Sequence, residues 1–169
     1  MPFSYRGEVK YLPSLRRNFG RLNLVLVVLI ASCVSKFSAP DHARAKALWE
    51  RIQGTSAWTH FDGLAGLQEG DGSHGAFIET RINPIAAEDQ KALLPGSILV
   101  KSNFSTAAGG APDSFVAMER QAGYDPRHKD WFYATFDPRG RVIQAGSSDE
   151  CIGCHRAAGA GDYVFYNDF

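Results

Sequence analysis

Apolar residues return at two different spacings along this chain, and the change of spacing predicts its elements. Between Asp41 and about Gln53 the spacing is helical, with Leu48, Trp49 and Ile52 on one side, so a helix capped by Asp41 and ended by Gly54 is expected. Further on, short alternating stretches take over. Phe77 to Ile82 reads as a strand, Asn83-Pro84 opens a short helix with cap and first-turn proline in the required order, and Pro95-Gly96 stops it. Ser97 to Phe104 alternates, with Ile98 and Val100 on one face and Leu99 and Lys101 on the other. Strands are also expected over Ser114 to Gln121, Trp131 to Phe136 and Arg141 to Ala145, the last two joined by the turn Asp137-Pro138-Arg139-Gly140. Residues 62–76, rich in Gly, Asp and Ser, and residues 105–113 read as loops. The expected fold is α+β and mostly β: an antiparallel sheet, a few short helices and a C-terminal segment bearing two cysteines.

The first 33 residues follow neither pattern. Arg16, Arg17 and Arg21 precede an apolar run from Leu22 to Ala31, too short to span a bilayer comfortably. Basic residues, a short apolar run and then small residues form the pattern of an export signal. Ile30-Ala31-Ser32-Cys33 resembles the site at which bacterial lipoproteins are cleaved and lipidated on cysteine. Cleavage nearby, with Cys33 incidental, is the other reading. The expected organisation is a signal over 1–33, an N-terminal helix over 34–57 and one domain over 58–169. The location that follows is periplasmic, with or without a lipid anchor. With 18 basic and 18 acidic residues the net charge is zero, and no basic run suggests a nucleic-acid surface.

The remaining cysteines carry the chemistry. They stand in Cys151-Ile152-Gly153-Cys154-His155. Two thiols at this spacing share a helical turn, where both can add to the vinyl groups of one porphyrin, and the histidine after them is carried to the iron. Cys-x-x-Cys-His is the pattern of covalent c-type haem attachment. Zinc would require further Cys or His at motif spacing, and a redox dithiol would sit early in an α/β pattern. One covalent haem c is therefore expected, with Cys151 and Cys154 as attachment points and His155 as iron ligand. Only 14 residues follow His155, with neither Met nor His among them, so a second ligand would have to come from Met118, His60, His74 or His128. Met118 reads as core, and His74 and His128 as surface residues. This favours an iron face that is open or capped by apolar groups.

A β-rich exported domain with this motif near its C-terminus, followed by Asp162-x-Val164-Phe165, resembles the cytochrome P-460 family and its relative cytochrome c′-beta. Supporting segments run from Trp58 to Phe165: His74-Gly75 with Arg81 and Asn83, Pro95 to Lys101, Val116 to Glu119, Gly123 to Pro126 and Asp130 to Tyr133. The resemblance implies a homodimer with five-coordinate haem and two alternative activities. Cytochromes P-460 bond a lysine to the porphyrin edge and oxidise hydroxylamine. The c′-beta proteins lack that bond, cap the iron with phenylalanine and bind nitric oxide. By the same resemblance Lys101 stands at the cross-linking position and Glu119 at that of a proton-moving distal carboxylate, while Arg81 and Phe77 fall in the region lining the distal pocket. Ser102 departs from the family's usual acidic residue after the lysine. The reading is a haem oxidoreductase acting on hydroxylamine or a related nitrogen oxide, with an acceptor cytochrome as electron partner. The alternatives are a nitric-oxide-binding protein with Phe77 or Phe104 as cap, and a plain electron carrier. Plainer roles remain for each residue: Lys101 reaching solvent along its stem, Glu119 paired with a basic neighbour, Phe77 and Phe104 in the core.

Overall fold

A computed structural model describes residues 37–158 and 162–165. The export-signal segment, including Cys33, lies outside the described residues. Alternation produces the strands expected from it. After β1 (Thr59–His60) and β2 (Leu67–Glu69) come β3 (Phe77–Ile82), β4 (Ile98–Phe104), β5 (Ser114–Arg120), β6 (Trp131–Phe136) and β7 (Val142–Gly146). All pairings are antiparallel. The order is β1-β3-β4-β5-β6-β7, with β2 also on β3. The fold is thus α+β with β dominant. The stretch read as loop over 62–76 holds β2, whose three residues are too few to show alternation.

Helix α1 (Ala39–Ile52) is capped by Ser38 rather than Asp41: the Ser38 hydroxyl accepts from the Asp41 N–H at 3.2 Å. Asp41 sits in the first turn and accepts from the Tyr124 hydroxyl at 3.0 Å. The helix lays Ala45, Leu48 and Ile52 against Ile98, Val100, Ala117, Phe132, Ala134 and Phe136. Each large apolar side chain so buried contributes about 1.5–3 kcal/mol. Helix α2 (Pro84–Glu88) starts at Asn83, whose side chain caps it and also accepts from the Ile98 N–H, tying the helix to the next strand.

The opposite sheet face buries Ile82, Leu99, Met118, Trp131 and Tyr133 against Ile152 of α3 (Asp149–His155) and Val164 of the tail. The sheet therefore has two apolar faces, one under α1 and one under the cysteine-bearing helix. Among the described residues no helix is long and apolar enough to cross a membrane.

Candidate cofactor site

Helix α3 explains why the motif spacing works. Cys151, Cys154 and His155 fall within its two turns, and Ile152 anchors it in the core. Both cysteines are free thiols, Cys151 half-buried and Cys154 exposed. Burial pushes the Cys151 thiol up, only partly offset by Ser148. His155 is buried, and its Nδ1 lies 2.7 Å from the Tyr163 carbonyl. A carbonyl can only accept, so Nδ1 carries the proton and Nε2 keeps its lone pair. Burial holds His155 below the ordinary histidine value, the Tyr163 bond opposing and Lys101 adding to the shift.

The tail that supplies the carbonyl is itself clamped. The Trp131 indole N–H donates to the Asp162 carbonyl at 2.9 Å, and Arg120 pairs with the Asp162 carboxylate at 3.4 Å. Tyr163 adopts φ +64°, a left-handed conformation that a bulky side chain rarely takes. That backbone directs its carbonyl at His155.

Beside His155 lies a cavity of about 430 Å³, within the range of small-molecule and cofactor sites. Its floor is the sheet face carrying Leu99, Lys101, Val116 and Met118. Phe61 and Leu64 close one side and Val164 and Phe165 another, and the β2–β3 loop supplies Asp71 and His74. Lys101 is half-buried, and burial lowers its amine below the ordinary lysine value while Asp71 and Cys154 pull the other way. The Asp71 carboxyl is held below the ordinary range by hydrogen bonds from Ser73.

The structure brings Cys151, Cys154, His155 and Lys101 to one side of the sheet and takes Glu119, Arg81 and Phe77 to the other. The reason is register. Lys101 faces Val116 across β4–β5, whereas Glu119 faces Ile98, one step out of phase. Side chains one residue apart on a strand point to opposite faces. Glu119 therefore meets α1, where Arg51 holds it in a two-pronged ion pair, one arm at 2.6 Å, and Gln121 donates to it at 2.7 Å. Arg81 pairs with Glu79 at 2.7 Å and donates to the Trp58 carbonyl at 2.8 Å. Phe77 faces Phe104 on the same side as these residues, so neither ring caps the cavity. The aromatic rings that do line it are Phe61, Tyr133 and Phe165.

Tyr133 carries no role in the sequence reading, and His74, though one of the four candidate second ligands, is read there as a surface residue. His74 looked like a surface loop residue, yet its ring centre lies 6.0 Å from that of His155. Burial brings it down to about 4, reinforced by Lys101 and His155 and opposed by Asp71. Tyr133 lies on the Lys101 face with its hydroxyl buried and without a hydrogen-bond partner among the described residues, and its ring centre is 5.4 Å from that of His155. Alternation could have placed Tyr133. No local signal places His74, because a loop closure brings it in.

The residues present fit a covalent haem. Two thiols and a neutral imidazole with a free Nε2 share one helix beside a largely apolar cavity. Among the described residues no three His, Cys, Asp or Glu side chains cluster to hold a metal ion unaided.

A family model described as Cytochrome P460 matches residues 68–166, more than half of the chain. The outer-membrane lipoprotein LolB of Chromohalobacter salexigens is 39% identical over 67 residues, which cover 37% of this chain. The match spans only 31% of that relative's length.

Proposed function

The chain belongs to the cytochrome P460 family and is a c-type haem protein; from that premise we propose that it is an exported haem oxidoreductase acting on hydroxylamine or a related small nitrogen compound. One haem is bound covalently through Cys151 and Cys154, whose S–H groups add across its vinyl groups, and His155 ligates its iron; Lys101 is the amine joined to the porphyrin edge, an N–C bond that replaces an amine N–H and a ring C–H and gives up two electrons and two protons to an oxidant of the peroxide or dioxygen class. The observation that carries this reading is the position of Lys101: it lines the same cavity as His155, with its amine shifted towards the neutral, nucleophilic form.

When bound, haem supplies a one-electron redox centre and an iron site that takes a small nitrogen ligand. The chain's own residues do the rest. His155, its Nδ1–H committed to Tyr163, keeps Nε2 for the iron in a fixed orientation. Leu99, Val116, Met118 and Phe61 give the cavity its apolar lining. Glu69 and Asp71 are the carboxylates at its wall and can take protons from the substrate. Glu119 is not proposed for that task, because it faces α1.

Nitric oxide binding without turnover is the competing reading, but its capping candidates, Phe77 and Phe104, lie on the far sheet face. The reading extends to a homodimer that passes electrons to an acceptor cytochrome outside the cytoplasm. The likeness to an outer-membrane lipoprotein supports lipid anchoring at Cys33. The test is the absorption spectrum with a hydroxylamine oxidation assay. The wild-type protein is expected to show a red-shifted ferrous Soret band and turnover, and Lys101→Ala an ordinary c-type spectrum with turnover abolished. An ordinary wild-type spectrum without turnover would move the protein to the nitric-oxide-binding class.

A further inference from the structure

Arg120 on β5 and Trp131 on β6 stand directly opposite each other in the sheet register, on the face that buries Met118. Both reach the same residue of the tail. The Trp131 indole N–H donates to the Asp162 carbonyl at 2.9 Å, and an Arg120 nitrogen lies 3.4 Å from each Asp162 carboxylate oxygen. One cross-strand pair therefore holds both the main chain and the side chain of Asp162. Trp131 is fully buried, and its indole N–H is the single hydrogen-bonding group it has. Arg120 also donates to the Leu93 carbonyl, so its guanidinium is tied at two places.

The residues that follow turn this grip into an orientation. Tyr163 takes φ +64°, and Val164 is buried in the cluster with Leu99 and Met118. Tyr163 is thus fixed on both sides, and its carbonyl stands 2.7 Å from His155 Nδ1. Its backbone conformation costs about 1–3 kcal/mol and relaxes where nothing enforces it. Burial of Val164 would suffice to pin the tail to the sheet. The buried donor and the ion pair act instead on the residue immediately before the carbonyl that His155 uses.

That carbonyl has an electronic consequence. An imidazole that donates its second N–H to a well-placed acceptor is a more basic, more electron-rich ligand. Such a ligand favours ferric over ferrous iron, and hydrogen bonding of this kind is one lever on a haem's reduction potential. We infer that Arg120 and Trp131 are positioning residues that set this potential: by gripping Asp162 they hold the Tyr163 carbonyl on His155 and keep the potential low. This rests on the haem reading above and adds to it residues that never touch the haem or its ligand.

The experiment uses the full-length, haem-loaded protein. Attached haem is measured first, by alkaline pyridine spectroscopy of denatured protein, and its absence from wild type overturns the haem reading itself. In loaded protein, potentials are measured by spectroelectrochemical titration and the iron–histidine stretch of the ferrous form by resonance Raman. Trp131→Phe keeps every charge and removes the donor. It is expected to make reduction about tenfold more favourable, a rise of about 59 mV for a one-electron couple, and to lower the stretching frequency. Arg120→Leu combined with Asp162→Asn removes one cation and one anion together, and moves both readouts the same way. Arg51→Ala loosens the opposite face of the sheet and moves neither. Unchanged potential and frequency in Trp131→Phe or in the double variant overturn the inference. An equal shift in Arg51→Ala overturns it as well, because the effect would then be general loosening. Where a variant fails to load haem, the cyanide-bound ferric wild type decides by nuclear magnetic resonance. The His155 Nδ1 proton is expected to exchange slowly with deuterated water, and fast exchange overturns the inference.

Discussion

The proton on His155 is placed by main chain. Because the Tyr163 carbonyl takes the Nδ1–H at 2.7 Å, the ring is held in one tautomer and one orientation before any iron arrives. That carbonyl depends on a tyrosine at φ +64°, a conformation that costs about 1–3 kcal/mol and persists only where surroundings enforce it. Trp131 and Arg120 enforce it here. Tyr133 is a second residue with stored cost, since its hydroxyl is buried without a partner among the described residues. Leaving such a group unpaired costs about 1–3 kcal/mol. In the haem-free chain made by replacing Cys151 and Cys154 with Ala, Tyr133→Phe is expected to raise stability by about 1–2 kcal/mol in denaturant unfolding. A loss of similar size would show that the hydroxyl is partnered.

Asp125 gives the pH dependence at this scale. Burial alone would raise its carboxyl, but hydrogen bonds from His128 and Ser147 prevail and hold it below the ordinary value of 3.8. A carboxyl whose folded value lies below its unfolded one adds stability that is complete above the unfolded value and is lost as pH falls through the folded one. Asp125→Asn is therefore expected to lower stability at neutral pH and to flatten the fall below about pH 4. Thermal melts between about pH 2 and 7 check this. An acid limb as steep as that of wild type would contradict it.

Among the elements, α1 and β5 are joined by the ion pair of Arg51 and Glu119. Glu119 is 5% exposed, so removing Arg51 strands a buried carboxylate. Arg51→Ala is expected to cost about 1–3 kcal/mol, and Glu119→Gln less, because the amide keeps a hydrogen-bonding role beside Gln121. Neither should move the visible spectrum. A spectral shift in Glu119→Gln with stability unchanged would return that side chain to the haem. The same pair shows what the sequence carries and what it does not. Strands β3 to β7 follow from alternation, and Asn83-Pro84 announces α2. Alternation also separates the two faces within each strand. It does not say which face of β5 is continuous with which face of β4, because that depends on pairing Glu119 with Ile98. A shift of one residue exchanges the faces, so Lys101 and Glu119 read as partners on one site when they stand on opposite sides of the sheet. The cysteine motif needed no such pairing, because its three residues share one short helix. His74 needed the most, a loop closed by Gly70 and Ala76 that leaves no periodic trace.

In the described domain as a whole, the sheet separates two tasks. Its α1 side is filled by interlocking apolar side chains and the Arg51–Glu119 pair, which give stability and no access. Its α3 side has apolar packing at one end and a cavity of about 430 Å³ at the other, bounded by Lys101, His74 and His155. The chemistry is thereby confined to one face, with the opposite layer as its support. The proposed function requires one haem joined to this face at three points, two sulfurs and one amine. Mass spectrometry of the denatured, protease-digested protein tests it most directly. The predicted result is one haem held in a single cross-linked species that unites the peptide containing Cys151 and Cys154 with the peptide containing Lys101. Haem released into solvent by denaturation, with the Cys151–Cys154 peptide at its unmodified mass, would contradict it.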